Sequence, residues 1–406
     1  MIVTKLRTMY KSTRCIETPC AAKYVLITVM LAAICSCSSV PRVSSLNPFA
    51  TKVIPRNPPA PLAAFTPSMT IRRSWSTAVG KAGIYTFNPA VVGEHIYVAA
   101  NDGTLMQLGA VNGQVGWRVN TGSKLTAGVG SDGLTIAVAG TKGMVMAFDP
   151  EGKARWTYQA SSEVLSAPAV GQGLVVVRSQ DNRIVGLDAQ TGTRRWSVQR
   201  TAPGLALRAA PGILIAGSSA FVALPGGKLL ALAVATGAPL WETAVGDPHG
   251  ATELERIIDM AGMPIMSGRE ICAVSFQGRA MCIDAASGTV AWSKELSSES
   301  GLGADDRYIY AADYTGSLSA LTRESGASVW KNTQLEHRHL SAPVVIGRAV
   351  AVGDYQGYIH FFGREEGTLL ARASTDGSEI IAAPVQVGSQ LIVQTRAGTV
   401  SAFSAE

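Results

Sequence analysis

Over most of the chain, apolar residues fall in short runs broken by glycine and polar turn residues. The stretch that begins at Pro168 shows the unit. Ala169-Val170 is a short apolar start, and Leu174-Val175-Val176-Val177 is a second run, closed by Ser179-Gln180-Asp181-Asn182. Ile184-Val185-Gly186-Leu187-Asp188 is a third, Thr191-Gly192 makes a turn, and Arg195-Trp196-Ser197-Val198 is a fourth. Four short runs rich in valine, isoleucine and leucine, with turn residues between them, predict a four-stranded antiparallel meander.

The unit recurs. Gly113, Gly152, Gly192, Gly237, Gly288 and Gly326 are each followed four residues later by Trp117, Trp156, Trp196, Trp241, Trp292 and Trp330. The remaining tryptophan, Trp75, keeps the spacing but has no glycine before it. Steps between successive tryptophans are 42, 39, 40, 45, 51 and 38 residues. A period near 40 with one indole per unit is a repeat architecture.

One four-stranded sheet cannot bury both of its faces. Stacking copies around an axis buries them and leaves only short edges. Each tryptophan then fills the gap between neighbouring sheets. An indole burying roughly 150–250 Å² at about 25 cal/mol per Å² contributes on the order of 4–6 kcal/mol before entropy is subtracted. We therefore read all seven tryptophans as structural. After Trp330, Gly367 keeps the repeat position, but Ala371 stands where tryptophan would be. The tail around Arg396–Phe403 has inner strands without an outer one, and the stretch around Trp75 has an outer strand without inner ones. Pairing the two closes a ring. Residues 71–406 make 336, or 42 for each of eight units. The expected fold is all-β, an eight-bladed β-propeller of four-stranded antiparallel blades.

Charge adds little to this picture. The formal net charge is +6, but residues 1–36 hold Lys5, Arg7, Lys11, Arg14 and Lys23 against Glu17. No basic stripe with interleaved aromatics is present, so nucleic acid is not an expected partner. Tyr24 to Ile34 is a mostly apolar run after a basic start, too short for a transmembrane helix and suited to a signal-peptide core. The leader is long, and Met9 is a second candidate start. An aliphatic residue three positions before Cys37, with small residues between, resembles a bacterial lipobox. We expect a lipoprotein signal over 1–36 and lipidation at Cys37. No aspartate follows Cys37, which favours the outer membrane over inner-membrane retention. Residues 37–70 hold Pro41, Pro48, Pro55, Pro58, Pro59, Pro61 and Pro67, an extended tether with no core of its own.

Beyond Cys37 the cysteines are Cys272 and Cys282, on adjacent strands of one predicted hairpin. The register decides whether they face each other; we expect two buried free thiols, with a disulfide as the alternative. His337 and His339 flank Arg338, but no third ligand is evident, and we expect no metal site. The chain carries no G-x-S-x-G, H-E-x-x-H or phosphate-binding loop. Asp102, Asp149, Asp188, Asp284 and Asp313 recur at repeat positions, which assigns them to turns. We expect no catalytic residues and no cofactor.

Connections on a rigid propeller stay short unless they are used. The two longest steps are consecutive, and the excess lies in Gln199–Ala210 and Gly246–Met263. The first holds Leu205-Ala206-Leu207-Arg208. The second holds Thr252-Glu253-Leu254-Glu255-Arg256-Ile257-Ile258-Asp259, long enough for a helical turn or two. Both leave an outer strand for the next inner strand, so both emerge on one face. Apolar anchors with a charged rim have the anatomy of a protein-binding patch.

Together these features resemble the BamB family, the lipoprotein subunit of the bacterial outer-membrane β-barrel assembly machinery. The resemblance covers the leader and nearly all of 71–406. The repeat itself is the quinoprotein-type motif shared by several families. More specific are Leu205-Ala206-Leu207-Arg208, Thr252-Glu253-Leu254-Glu255-Arg256, His337-Arg338 with Ser341-Ala342-Pro343, and Gly353-Asp354-Tyr355-Gln356-Gly357-Tyr358-Ile359-His360. The resemblance implies a non-catalytic scaffold on the periplasmic face of the outer membrane that assists β-barrel folding and insertion. In that family a Leu-x-Leu-Arg segment and an Asp-x-Asp pair dock on the POTRA domains of BamA, the insertase. The matching positions are Leu205, Leu207, Arg208 and Asp259; the second aspartate is replaced by Ala261, and Glu255 is a neighbouring carboxylate available to compensate. Other assembly lipoproteins would be indirect partners, unfolded outer-membrane proteins further ones. The alternative is a periplasmic pyrroloquinoline-quinone-dependent dehydrogenase. Such enzymes resemble longer chains with a vicinal cysteine pair and a calcium site over the quinone, and residues 37–406 contain no adjacent cysteines.

Overall fold

The structure is a computed structural model that describes residues 57–208 and 210–405. The expected signal segment 1–36 and Cys37 lie outside the described residues. Thirty-two strands, β1 to β32 in chain order, form eight four-stranded antiparallel sheets. The eight-bladed propeller expected from the repeat is the architecture observed. The four apolar runs after Pro168 are β10 (Ala169–Gly171), β11 (Leu174–Arg178), β12 (Arg183–Asp188) and β13 (Arg194–Gln199), paired in that order from the axis outward. We number this sheet blade 3; blade 1 runs from Ala90 to Asn120, and the others follow.

Blade 8 is built from both ends of the described chain. Its inner strands are β30 (Val385–Val387), β31 (Gln390–Gln394) and β32 (Thr399–Ala405), and its outer strand is β1 (Ile71–Ala78). Ile71 pairs with Ala405 and Ala78 with Thr399, with one irregularity between Arg73 and Trp75. Buried residues of blades 8 and 1 then mix in one cluster that includes Val79, Ile96, Val98, Ile392 and Val400. Comparable clusters sit between the other blades, so the core lies at eight seams and not along the axis.

Each indole is held by the blade that follows its own. Trp156, on blade 2, lies against Gly192 of blade 3, where an added Cβ would come within 2.6 Å of the ring. Trp196 meets Gly237 in the same way, again at 2.6 Å. Both glycines have φ of +71°, a left-handed conformation that disfavours other residues. All seven indole N–H groups donate to a carbonyl of the next blade's outer turn, at 2.7–3.1 Å. The aspartates of these turns bind backbone: Asp188 accepts from the N–H groups of Gln190 and Thr191 at 3.1 and 3.0 Å.

One seam lacks this lock. On β29 (Leu369–Ser374), the outer strand of blade 7, Ala371 replaces the indole. Met69, buried with Ala371, Phe361 and Phe403, packs there. Residues 57–70 form no strand and are seated on the propeller. Ala60 donates to the Glu336 carbonyl at 2.8 Å and accepts from Arg338 at 3.0 Å. Ser68 donates to the Leu370 carbonyl at 3.0 Å. Arg338 is itself buried, turned inward by left-handed backbone at His337 and His339. It donates twice to Asp354 Oδ2, at 2.8 and 2.7 Å, and that oxygen also lies 3.0 Å from His360 Nε2. Nδ1 of His360 accepts from Arg372 at 3.2 Å, so the ring proton sits on Nε2. Burial holds the His360 pKa below its ordinary value, and the imidazole is neutral.

The expectation of two free thiols is corrected: Cys272 and Cys282 form a disulfide. The hairpin of β19 (Glu270–Phe276) and β20 (Arg279–Asp284) turns at Gln277, where φ is +53°. That register places Cys272 directly opposite Cys282, with Cα atoms 4.1 Å apart. Such closeness marks a non-hydrogen-bonded pair, the position where side chains approach most nearly.

Two measurements check these assignments. Gly192→Ala is expected to cost about 2–4 kcal/mol in urea unfolding, from left-handed strain plus the clash with Trp156. Gly173→Ala, at φ +72° with nothing within 4 Å, carries the strain alone and should cost about 1 kcal/mol. Reducing the disulfide opens a short loop and should lower stability by roughly 2–3 kcal/mol, read as a dithiothreitol-dependent drop in the denaturation midpoint.

Candidate functional site

The two long connections emerge together. The first joins β13 to β14 (Ile213–Ala216) and the second joins β17 (Pro239–Ala244) to β18 (Asp259–Ser267). Strand β18 therefore starts inside the segment expected to be loop. It carries extra residues between Ala261 and Ile265, where its pairing with β19 shifts. The Gly262 carbonyl in this bulge accepts from the Gly212 N–H at 2.9 Å, tying the base of the first loop to blade 5.

Asp259 organises the first loop from beneath. Its side chain is buried, one oxygen accepting from the Leu207 N–H and the other from Gly226 N–H, the latter at 2.9 Å. Three blades meet at this carboxylate. Leu207 leads out of blade 3, Gly226 is a turn of blade 4, and Asp259 opens β18 of blade 5. Arg178, at the end of β11, is the nearby cation and is also buried. Its Nη1 donates to Asn182 at 3.3 Å, while its Nε has no partner among the described residues. Burial lowers the Arg178 pKa to about 10, against the attraction of Asp259. Burial pushes the Asp259 pKa up, against the Gly226 and Leu207 N–H groups and Arg178. The turn around Asn182 reads in the sequence as an ordinary polar connection; the structure buries that side chain, and no local signal marks it.

The rest of the expected set divides by exposure. Leu205 and Leu207 are 48% and 37% exposed, large for leucine next to a fixed backbone. Arg208 is exposed and pairs with Glu163 at 2.7 Å, with its guanidinium 6.0 Å from the Tyr85 ring centre. Tyr85 and Glu163 come from the connections entering blades 1 and 3, so Arg208 spans the rim. Neither of the two was singled out in the sequence, because nothing local marks them. Ala261 is buried beside Leu302 and Cys272 and presents nothing to solvent.

The second loop makes one turn and no helix. Thr252 and Glu255 cap each other: the Glu255 N–H donates to Thr252 Oγ1 at 3.2 Å, and Glu255 Oε2 accepts from the Thr252 N–H at 3.0 Å. Oε2 also accepts from Ala251 at 2.8 Å. The Thr252 N–H, then that of Ala251, holds the Glu255 carboxyl below its usual range. Leu254 is left 70% exposed on this turn. The face thus presents three leucines with Arg208 and Arg256; of its carboxylates Glu255 is committed to its own turn and Glu253 lies 3.9 Å from Arg256.

A family model described as outer membrane protein assembly factor BamB matches residues 106–332 and 315–406. The assembly factor BamB of Bordetella pertussis is 46% identical over 300 residues, covering 74% of this chain and 78% of that protein. The crystal structure of BamB from Moraxella catarrhalis superimposes with a TM-score of 0.76 at 25% identity, over 82% of this chain and 100% of that one. A quinohemoprotein alcohol dehydrogenase from Comamonas testosteroni gives a TM-score of 0.63 at 14% identity, over 82% and 76% of the two chains, a likeness of fold alone.

Asp259→Ala leaves the Leu207 and Gly226 N–H groups without an acceptor. It should cost about 1.5–3 kcal/mol and speed hydrogen exchange at residues 205–208 while sparing blades 6 and 7. The native Asp259 holds its proton more tightly than the unfolded chain does. Its contribution to stability therefore falls as pH rises from about 4 through the raised value, and Asp259→Asn should remove that slope.

Proposed function

The chain belongs to the BamB family of outer membrane protein assembly factors, and from that premise we propose that it is a non-catalytic scaffold docking on the POTRA domains of the BamA insertase. In this reading it sits on the periplasmic face of the outer membrane, anchored by acyl chains at Cys37. It supports the folding and insertion of β-barrel proteins, touching other assembly lipoproteins indirectly and unfolded outer-membrane proteins in passing.

The observation that carries the reading is the buried carboxylate of Asp259 holding the Leu207 backbone while Leu205, Leu207 and Arg208 stay exposed. A loop fixed from below loses little conformational entropy on binding, so burial of its leucines is retained as affinity. Arg208 meets a partner carboxylate already oriented by Glu163 and Tyr85. In this arrangement Asp259 is a positioning residue that acts through Leu207. Ala261 removes no surface charge, since its position is buried.

The test is photocrosslinking in cells from a probe at Leu207, with a control at Leu134, which is 65% exposed in an inner-strand turn on the opposite face. The Leu207 probe should capture BamA and the Leu134 probe should not. Leu207→Asp should weaken POTRA binding at least tenfold, as loss of a central apolar anchor does. Arg208→Glu should weaken it mainly at low salt, as expected for a rim charge. Capture of BamA from Leu134 alone would overturn the assignment of this face.

A further inference from the structure

Charge is segregated along this chain. Residues 38–93 contain Arg42, Lys52, Arg56, Arg72, Arg73 and Lys81 and no aspartate or glutamate. Of the 35 basic and 29 acidic residues, 11 and 1 precede Glu94. That leaves 24 and 28 from Glu94 onward, a net −4. The acid-free stretch takes in β1, so the propeller as a whole, residues 71–406, holds 27 basic and 28 acidic residues.

Residues 63–73 of that stretch meet the ring at the seam between blades 7 and 8. The repeat lapses there: Ala371 stands for the indole, and blade 8, closed by two separate chain segments, has no outer turn to receive one. A groove of about 410 Å³ remains, lined by Ile71, Arg73, Arg372, Ala373, Ser374 and Phe403. Arg73 donates to the Ser374 carbonyl at 2.6 Å and lies 5.7 Å from the Phe403 ring centre. Arg372 donates to His360 and, at 3.3 Å, to the Ala63 carbonyl, with its guanidinium 5.2 Å from the Phe65 ring centre. Arg348, also on blade 7, donates to the Ser68 carbonyl at 2.6 Å.

Every acceptor these three arginines have is neutral, and none of the three is ion-paired among the described residues. The carboxylate nearest Arg372, Asp354, is already occupied by Arg338 and His360. Burial, with repulsion from Arg338, holds the Arg372 pKa below its ordinary value, as expected of a cation short of a counter-charge. Elsewhere on the ring most exposed arginines are paired, for example Arg195 with Asp188 and Arg307 with Glu365.

We propose that this groove binds the phosphate headgroup of an anionic lipid at the membrane surface. Arg73 and Arg372 take the phosphate oxygens, a geometry that guanidinium forks suit. Ile71 and Phe65, both half-buried, lie against the glycerol and first acyl carbons. The acid-free stretch runs from this groove toward the expected acyl anchor, and an acyl chain plus a basic patch is the combination that makes membrane attachment stable. The groove is separate from the Leu205–Arg208 loop, so this inference holds or fails apart from the docking reading.

The test uses the full chain purified from membranes in detergent, with photoactivatable phosphatidylglycerol or phosphatidylcholine added and labelled peptides mapped by mass spectrometry. Phosphatidylglycerol should label peptides from 57–73 and 369–374 at least about fivefold more than phosphatidylcholine does. Arg73→Gln should lower that labelling about fivefold at an unchanged melting temperature, and Arg73→Lys should restore most of it. A millimolar excess of inorganic phosphate should not displace the lipid. Equal labelling by the two lipids, undiminished labelling of Arg73→Gln, or displacement by inorganic phosphate, which would make the groove a free-anion site, would each overturn the proposal.

Discussion

An indole that lies flat against a neighbouring backbone leaves no room for a Cβ beneath it. Seven times around this ring, a tryptophan on one blade meets a left-handed glycine on the next and donates its N–H to a carbonyl of the same turn. The contact combines a large apolar burial with a hydrogen bond, so it specifies distance and angle together. Blade-to-blade geometry is then set locally at seven seams, and the eighth, between blades 7 and 8, closes the ring without the indole. The short strands mainly supply apolar side chains to either side, as Leu174–Val177 of β11 do.

The same contact explains the two irregularities of the repeat. Trp75 has no glycine before it, and Gly367 has no tryptophan after it, because a glycine serves the tryptophan of the preceding blade. Gly113 receives Trp75, and Gly367 receives Trp330. At the seam between blades 7 and 8 the receiving turn does not exist, since β32 and β1 come from distant parts of the sequence. Met69, the seated segment 57–70 and the buried Arg338–Asp354–His360 group occupy that region instead. A buried ion pair of this kind adds little net stability compared with apolar packing. What it does here is fix Arg338 where it can bind the Ala60 carbonyl, so the segment entering β1 has a defined path.

The fold was legible because its determinants are periodic. Four runs per unit and one Gly-x-x-x-Trp per unit identify a propeller, and the deficits at the two ends identify its closure. The disulfide was legible in part. Cys272 and Cys282 are symmetric about Gln277, so centring the hairpin there puts them opposite each other; only the backbone shows that this is the close kind of pair. The loops carrying Leu205 and Leu254 were found from spacing alone. What Asp259 does was not, because its partners Leu207, Gly226 and Arg178 belong to two other blades and no one-dimensional pattern joins them. Tyr85 and Glu163 escaped for the same reason.

Asp259 also shows what a repeat fold can offer at a point where the repeat is broken. A carboxylate buried at the meeting of three blades is costly, and the raised pKa of Asp259 and the lowered pKa of Arg178 both register that cost. The carboxylate ties the inserted loop, through the Leu207 N–H, to the Gly226 turn of blade 4, so that the exposed leucines stand on a fixed backbone. Loops on propellers vary freely because the blades do not depend on them. One loop on this ring has been made dependent, and it displays Leu205 and Leu207 to solvent from a backbone fixed beneath them.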